Sequence, residues 1–359
     1  MKYLAAVLTS PNRIELQEQR IASRLGRGEV LLKILASGVC GTDLSIYRGD
    51  YPVPLPLILG HEMVAEVADA PAGSVARSLV GRRVVCEINN SCTAYGRSKC
   101  CEACRRGLSN HCMVRTVTGI IAHPGAFAEY LVVPAGNLHV VPRTIDTVAA
   151  SLVEPLAAAI RTFELSPVRD GKTVVVLGCG RLGRLVALVA AKSGARVIAV
   201  GRSATHLDLI APFAWKRIAL QKGSGAEIRP RGRILTAKSA EEIRTIVLDL
   251  TRGLGADIAV EATGVNANLL LARRLVRPQG IVAMKSTSGV PVQEFDTTLA
   301  TVDEITFQGS RCGPFDKAIR FMRQHGIPNE SWVTARFGLE DTAKAIEAAA
   351  VEPKVLIEP

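Results

Sequence analysis

The sequence predicts an α/β protein in which a doubly wound parallel sheet is joined to a mostly β region. Three observations carry this expectation. Residues 1–150 are short apolar runs broken by Gly, Pro and Asn, among them 30–35 and 83–88, which is the texture of strands and turns. The texture changes near residue 150, where 149–163 reads as an Ala- and Leu-rich helix. Beyond it, 172–177 is a continuous apolar strand, 182–193 a helix and 195–200 a second strand. Strand, turn, helix and strand, with unbroken apolar strands, is the pattern of a parallel sheet covered on both faces.

Later elements extend the pattern. Strands are expected at 256–261, 280–285 and 304–308, helices at 316–324 and 339–350, and a last strand at 354–357. A chain of 359 residues is long for one core and predicts two domains. The opening Met1-Lys2-Tyr3-Leu4-Ala5-Ala6-Val7-Leu8 is apolar but stops at Thr9-Ser10-Pro11, so it reads as a first strand and turn rather than a signal segment.

The bulk charge excludes two classes of partner. The net charge is +11, but Lys and Arg are spread along the chain, and aromatic residues make up 4%, too few for base-stacking platforms. No stretch is long and apolar enough to span a bilayer. The reading is therefore no nucleic acid and no membrane. Nine cysteines, six of them between Cys86 and Cys112, argue for bound metal over disulfides and for a cytoplasmic setting.

Gly178-Cys179-Gly180-Arg181-Leu182-Gly183 fits G-x-G-x-x-G between a predicted strand and helix, the context in which the motif binds a dinucleotide. Gly178 permits the tight turn, Gly180 lets the backbone approach the pyrophosphate, and Gly183 lets helix and strand pack closely. Arg181 and Leu182 open the helix whose free N–H groups meet the phosphates. The second strand ends in Gly201-Arg202-Ser203, where an acidic residue would hold the ribose of NAD. Arg202 and Ser203, with help from His206, suit a 2′-phosphate instead, so NADP is favoured and NAD is the alternative.

Two sets of residues suit zinc. Cys92, Cys100, Cys101, Cys104 and Cys112 lie in one polar stretch, and four of them suffice for a tetrahedral thiolate site. The preferred set is Cys92, Cys101, Cys104 and Cys112, with Cys100 competing with Cys101. The second set is dispersed: Cys40 in Cys40-Gly41-Thr42-Asp43, His61 and Glu62 after Gly60, and Glu154 before Pro155. Their residue types are legal zinc ligands, but spacing alone does not bring them together.

Taken together, these motifs and Glu261-Ala262-Thr263-Gly264 resemble the zinc-dependent medium-chain dehydrogenase/reductase family of alcohol, polyol and threonine dehydrogenases, over essentially the whole chain. The resemblance implies a GroES-like catalytic domain from 1–151, a Rossmann domain from 152–312, and a segment from 313–359 returning to the catalytic domain. It implies two zinc ions per chain. Cys40, His61 and Glu154 would face a catalytic zinc, Glu62 would be a fourth or exchangeable ligand, and the Cys lobe would hold a structural zinc. Thr42 would bond the substrate oxygen and start a proton relay that Ser45 continues, where other members have His. Thr263 would line the cofactor site and Lys354 would lie near the cofactor pyrophosphate. Further departures are Ala65, where Gly is usual, and Ser98 at the usual first position of the Cys lobe, so that Cys92 must reach in. The stretch 216–233 looks like a basic insertion near the adenosine side, with a plain solvated loop as the stronger reading. A homodimer or homotetramer follows from the same resemblance.

The expected chemistry is hydride transfer between the nicotinamide and an alcohol or carbonyl substrate, leaning to polyols, sugars or cyclitols. The competing readings are a zinc-free quinone or enone reductase and a non-catalytic NADP-binding protein.

Overall fold

The apolar strands and their glycine turns assemble, in the computed structural model, into two compact units: Met1–Glu154 together with Phe315–Pro359, and Pro155–Pro314. The structure describes residues 1–22, 24–221, 234–287, 291–293, 295–327 and 329–359.

The second unit is a seven-stranded parallel sheet in the order Leu235–Ala237, Lys216–Leu220, Arg196–Gly201, Thr173–Leu177, Ala256–Glu261, Val276–Met284, Thr306–Gly309. All five residues of Thr173–Leu177 are buried, as the central strand of a sheet covered on both faces must be. The helix Arg181–Lys192 covers one face with Leu185, Val186, Leu188 and Val189. The strand order reverses beside Thr173–Leu177, and the residues following that strand stand at the switch point where ligands bind in doubly wound sheets.

Two expectations are corrected here. The start of the basic stretch is not an insertion: Lys216–Leu220 is a strand paired in parallel with Arg196–Gly201. Arg217 can be buried in it because Nη1 donates to the Leu207 carbonyl at 3.1 Å and to Asp208 at 2.9 Å. The remainder, 222–233, lies outside the described residues. The expected helix at 149–163 is two helices, Thr147–Ala150 and Val153–Leu165. Asp146 caps the first, accepting from the Ala149 N–H at 2.7 Å, and Pro155 falls in the first turn of the second, where its missing N–H costs no hydrogen bond.

In the first unit the main sheet runs Leu138–Val140, Arg83–Cys86, Glu62–Asp69, Glu29–Gly38, Val355–Glu358, Ala335–Gly338, and Tyr130–Pro134 also pairs with Glu29–Gly38. The carboxyl-terminal strand is thus interior to the sheet. Gly38 is the junction: it pairs with Glu62 on one side and with Leu356 on the other. That register brings three chain segments, far apart in sequence, to one end of one sheet. A separate small ladder, Asn89 with Val117 and Asn90 with Thr116, closes the base of the Cys lobe. Among the described residues, no helix is long and apolar enough to cross a membrane.

Candidate metal and dinucleotide sites

Cys40 lies two residues beyond the end of Glu29–Gly38, and His61 immediately precedes the neighbouring strand Glu62–Asp69. The ligand atoms of Cys40, His61 and Glu62 lie within 4.8 Å of one another. Glu154 is not in that group; it stands in the first turn of Val153–Leu165. Thr42 Oγ1 is 3.8 Å from the Cys40 sulfur, and Ser45 lies one turn further along the same helix, Gly41–Arg48.

Asp43, to which the sequence reading gave no role, organises the group. It is fully buried. Its Oδ2 accepts from the Cys40 N–H at 2.8 Å, its Oδ1 accepts from the Gly60 N–H at 3.2 Å, and the same Oδ1 is 3.3 Å from His61 Nδ1. That last contact is near but poorly aligned, since Nδ1 makes no hydrogen bond of good geometry. The signal that could have found it is an acidic residue three positions past Cys40, the capping-box spacing of the helix Gly41–Arg48.

Lys354 lies beside this group. Its side chain is 1% exposed, and its ammonium donates to the Glu62 carboxylate and, at 3.2 Å, to the Val39 carbonyl. Its burial follows from the strand it leads into, which is interior to the sheet. The ammonium thus pairs with the carboxylate of Glu62, one of the candidate metal ligands.

The electrostatics follow from this packing. Burial pushes the Cys40 thiol up, but His61 and Lys354 outweigh burial and Asp43 and leave it below its ordinary value. Burial opposes charge on His61, yet Asp43 and Cys40 hold it well above its ordinary value. Burial brings Lys354 down to about 8, against the pull of Cys40 and Asp43. A thiol held below its ordinary value, beside a buried imidazole and a carboxylate, is a donor set that suits zinc.

In the Cys lobe the sulfurs of Cys92, Cys101, Cys104 and Cys112 form a second group within 4.8 Å, and no cysteine is in a disulfide. Cys92 is 3.6 Å and Cys101 3.7 Å from Cys112, sulfur to sulfur. A tetrahedron with Zn–S bonds of about 2.3 Å has S···S edges of about 3.8 Å, so the lobe fits the ion. Cys100 stands apart: its thiol is directed to the Arg97 carbonyl at 3.4 Å. Backbone N–H groups of Cys104 and Met113 donating to the Cys101 sulfur bring that thiol down to about 6.

In the second unit, Gly178 has φ +94°, which strongly favours glycine. A Cβ on Gly183 would sit 1.8 Å from the Gly178 carbonyl, so only glycine lets this helix pack on this strand. A Cβ on Gly180 would meet nothing within 4 Å: the space over the turn is open, as approach of a diphosphate requires. Gly180 caps the helix that Arg181 and Leu182 begin. Gly201 ends its strand, Arg202 is exposed, and Ser203 Oγ accepts from the His206 N–H at 3.3 Å, capping the helix Ala204–Leu209. Burial, then Arg184 and Arg181, hold His206 below its ordinary value, so basic side chains converge here. Arg184, buried at 1% exposure, was not singled out in the sequence. Thr263 packs its methyl toward Gly178, while its N–H donates to Glu261 at 2.6 Å and its hydroxyl bonds the same carboxylate.

Comparison with known proteins agrees with this geometry. Residues 26–143 match the alcohol dehydrogenase GroES-like domain, and residues 182–324 the zinc-binding dehydrogenase domain. The chain is 31% identical over 359 residues to sorbitol dehydrogenase of Bacillus subtilis, covering 96% of this chain and 93% of that one. It is 35% identical over 264 residues to L-threonine 3-dehydrogenase of Pyrococcus horikoshii, covering 72% and 68%. A zinc-binding dehydrogenase structure from Sinorhizobium meliloti, bound to NADP, superposes with a TM-score of 0.83 at 27% identity, covering both chains completely. By fold, metal-ligand sets and sequence, the chain belongs to the zinc-dependent medium-chain dehydrogenase/reductase family.

Proposed function

We propose that this protein is a zinc-dependent, NADP-preferring dehydrogenase that interconverts a polyol or related secondary alcohol and its carbonyl. The observation that carries the reading is the meeting of Cys40, His61 and Glu62 at one end of the first-unit sheet. The polyol class rests on the sorbitol dehydrogenase likeness and on erythritol/L-threitol dehydrogenase of Mycolicibacterium smegmatis, 30% identical over 367 residues. When bound, the zinc supplies a Lewis acid for the substrate oxygen and the nicotinamide a hydride acceptor.

The chain's own residues do the rest. Cys40, His61 and Glu62 would hold the catalytic ion, with Glu154 as a further ligand. His61 would ligate through Nε2 while Asp43 takes Nδ1 and fixes the ring. Thr42, beside Cys40, would accept the substrate hydroxyl proton into its hydrogen bond and pass its own along the helix face toward Ser45. Lys354 would balance the charge of Glu62. Cys92, Cys101, Cys104 and Cys112 would hold a structural zinc. The turn at Gly178, Gly180 and Gly183 would seat the diphosphate, and Arg202 with the Ser203 hydroxyl the 2′-phosphate.

We place the enzyme in the cytoplasm, because its metal sites need reduced thiols. We take it to be a homodimer or homotetramer. The edge strand Thr306–Gly309 and the exposed Leu299 and Val302 on a neighbouring helix of the same unit are a surface that a second copy would cover. The test of function is Cys40→Ala in the zinc-loaded protein, assayed against sorbitol and other polyols with NADP and NAD. Loss of turnover with undiminished NADPH binding is expected; retained turnover refutes the zinc mechanism.

A further inference from the structure

A cleft at the other end of the parallel sheet carries chemistry that the dehydrogenase reading leaves unused. Its volume is about 310 Å³, and its polar lining comes from Thr173, Arg196, Thr251, Arg252, Asp257 and Arg277. Thr173 and Arg196 are the first residues of their strands, and Asp257 and Arg277 the second of theirs. The glycine-rich turn follows the carboxyl end of Thr173–Leu177, where dinucleotides bind. A ligand in this cleft therefore does not compete with the cofactor for space.

Three guanidiniums face one carboxylate, and that carboxylate is already committed. Asp257 Oδ1 accepts from Lys172 Nζ at 2.8 Å and Arg277 Nε at 2.9 Å, and Oδ2 accepts from the Thr173 N–H at 2.9 Å. Arg277 spends Nη1 on the Pro278 carbonyl at 2.7 Å, which leaves Nη2 for a ligand. Arg196 is positioned by Thr173 Oγ1 at 2.9 Å and lies over the Trp215 ring at 5.0 Å. Arg252 is exposed on the loop between Leu250 and Gly255, at φ +56°, a backbone conformation that Gly or Asn adopts more readily. The lining thus has an excess of two positive charges, two of its guanidiniums are held in fixed orientation, and the third stands on the rim.

We propose that this cleft is a phosphate-dianion site, distinct from the cofactor site, that takes inorganic phosphate or the phosphate of a small ester. The charge decides for phosphate over a monocarboxylate: a dianion cancels the excess, and guanidinium forks match its oxygens two at a time. The volume is at the lower end for small-molecule sites, ample for a phosphorylated three- or four-carbon compound and short of a dinucleotide.

The experiment is calorimetric titration of the zinc-loaded full chain, saturated with NADP, with inorganic phosphate and separately with glycerol 3-phosphate. Saturable binding below about 1 mM is expected, with a change in Trp215 emission that Trp215→Phe abolishes. Arg252→Asn, which suits the local backbone, and Arg196→Gln should each weaken binding by about tenfold or more, with the KM for NADP and the thermal midpoint unchanged. Tighter binding of the ester than of phosphate assigns the site to phosphorylated metabolites, and equal binding assigns it to the free anion. The proposal is overturned by absence of saturable binding to either probe, by binding undiminished in both arginine variants, or by binding that leaves Trp215 emission unchanged.

Discussion

The Lys354 ammonium donates to the Glu62 carboxylate with both side chains shut off from solvent, at 1% and 3% exposure. The pair bridges the two strands that flank Gly38. Removing one partner of a buried pair leaves the other charge uncompensated. Lys354→Met is therefore expected to cost roughly 3–5 kcal/mol of stability, read from denaturant unfolding of the metal-free protein. Lys354→Arg should not restore it. A Cβ on Gly38 would already sit 2.8 Å from Lys354 Cε, so a guanidinium has no room and overpacks by roughly 1–3 kcal/mol. Equal stability of Lys354→Met and wild type would refute the pairing.

The Cys lobe offers a discrimination between neighbours. Cys101 belongs to the four-sulfur group and Cys100 faces the Arg97 carbonyl. Cys101→Ser should lower the zinc content from about two ions per chain to about one and reduce the thermal midpoint. Cys100→Ser should keep both ions. Metal analysis of the two variants decides between them, and the reverse pattern would exchange their roles.

Cofactor choice is the next test. Arg202 is exposed at the end of Arg196–Gly201, where a 2′-phosphate would lie. Arg202→Ala should raise the KM for NADP by about tenfold or more, the worth of one charge-assisted hydrogen-bonded pair, and leave the KM for NAD nearly unchanged. An equal effect on both cofactors would show that Arg202 does not read the 2′ position.

Asp257 sets a pH dependence in the second unit. Burial would raise its pKa, but Lys172, the Thr173 N–H and Arg277 outweigh burial and hold it below its ordinary 3.8. A carboxylate depressed in the fold binds fewer protons there than in the unfolded chain. Its contribution is present above the unfolded value and is lost as pH falls through the folded one. Asp257→Asn should thus be less stable than wild type by about 1–3 kcal/mol at neutral pH, with the gap closing below about pH 4. Urea unfolding of both proteins between pH 2 and pH 7 measures the gap; a gap independent of pH would sink the assignment.

Much of the second unit was legible in the sequence because its signals are local. A fully buried parallel strand is a continuous apolar run, and Gly178, Gly180 and Gly183 mark a turn that needs glycine at Gly178 for its φ of +94° and at Gly183 for close packing. Lys216–Leu220 was missed because two of its five residues are basic. The partners that make Arg217 tolerable, Asp208 and the Leu207 carbonyl, cannot be seen in the local pattern. The helix break at Ser151 was missed because Ala, Leu and Val continue across it, although Pro155, which suits the first turn of a helix, was a signal for the second start.

By itself the sequence determined the class of fold, the glycine turn and which residue types could bind metal, since these rest on periodicity, backbone permissiveness and donor chemistry. Only the tertiary structure decided which donors meet. The pairing of Gly38 with Glu62 and with Leu356 draws Cys40, His61, Glu62 and Lys354 to one sheet end, although up to 314 residues of chain separate them. It also made Lys354 a buried partner of Glu62, separated Cys100 from Cys101, and gave Asp43 its three contacts. Strand register and burial are properties of the assembled sheet, and no spacing along the chain encodes them.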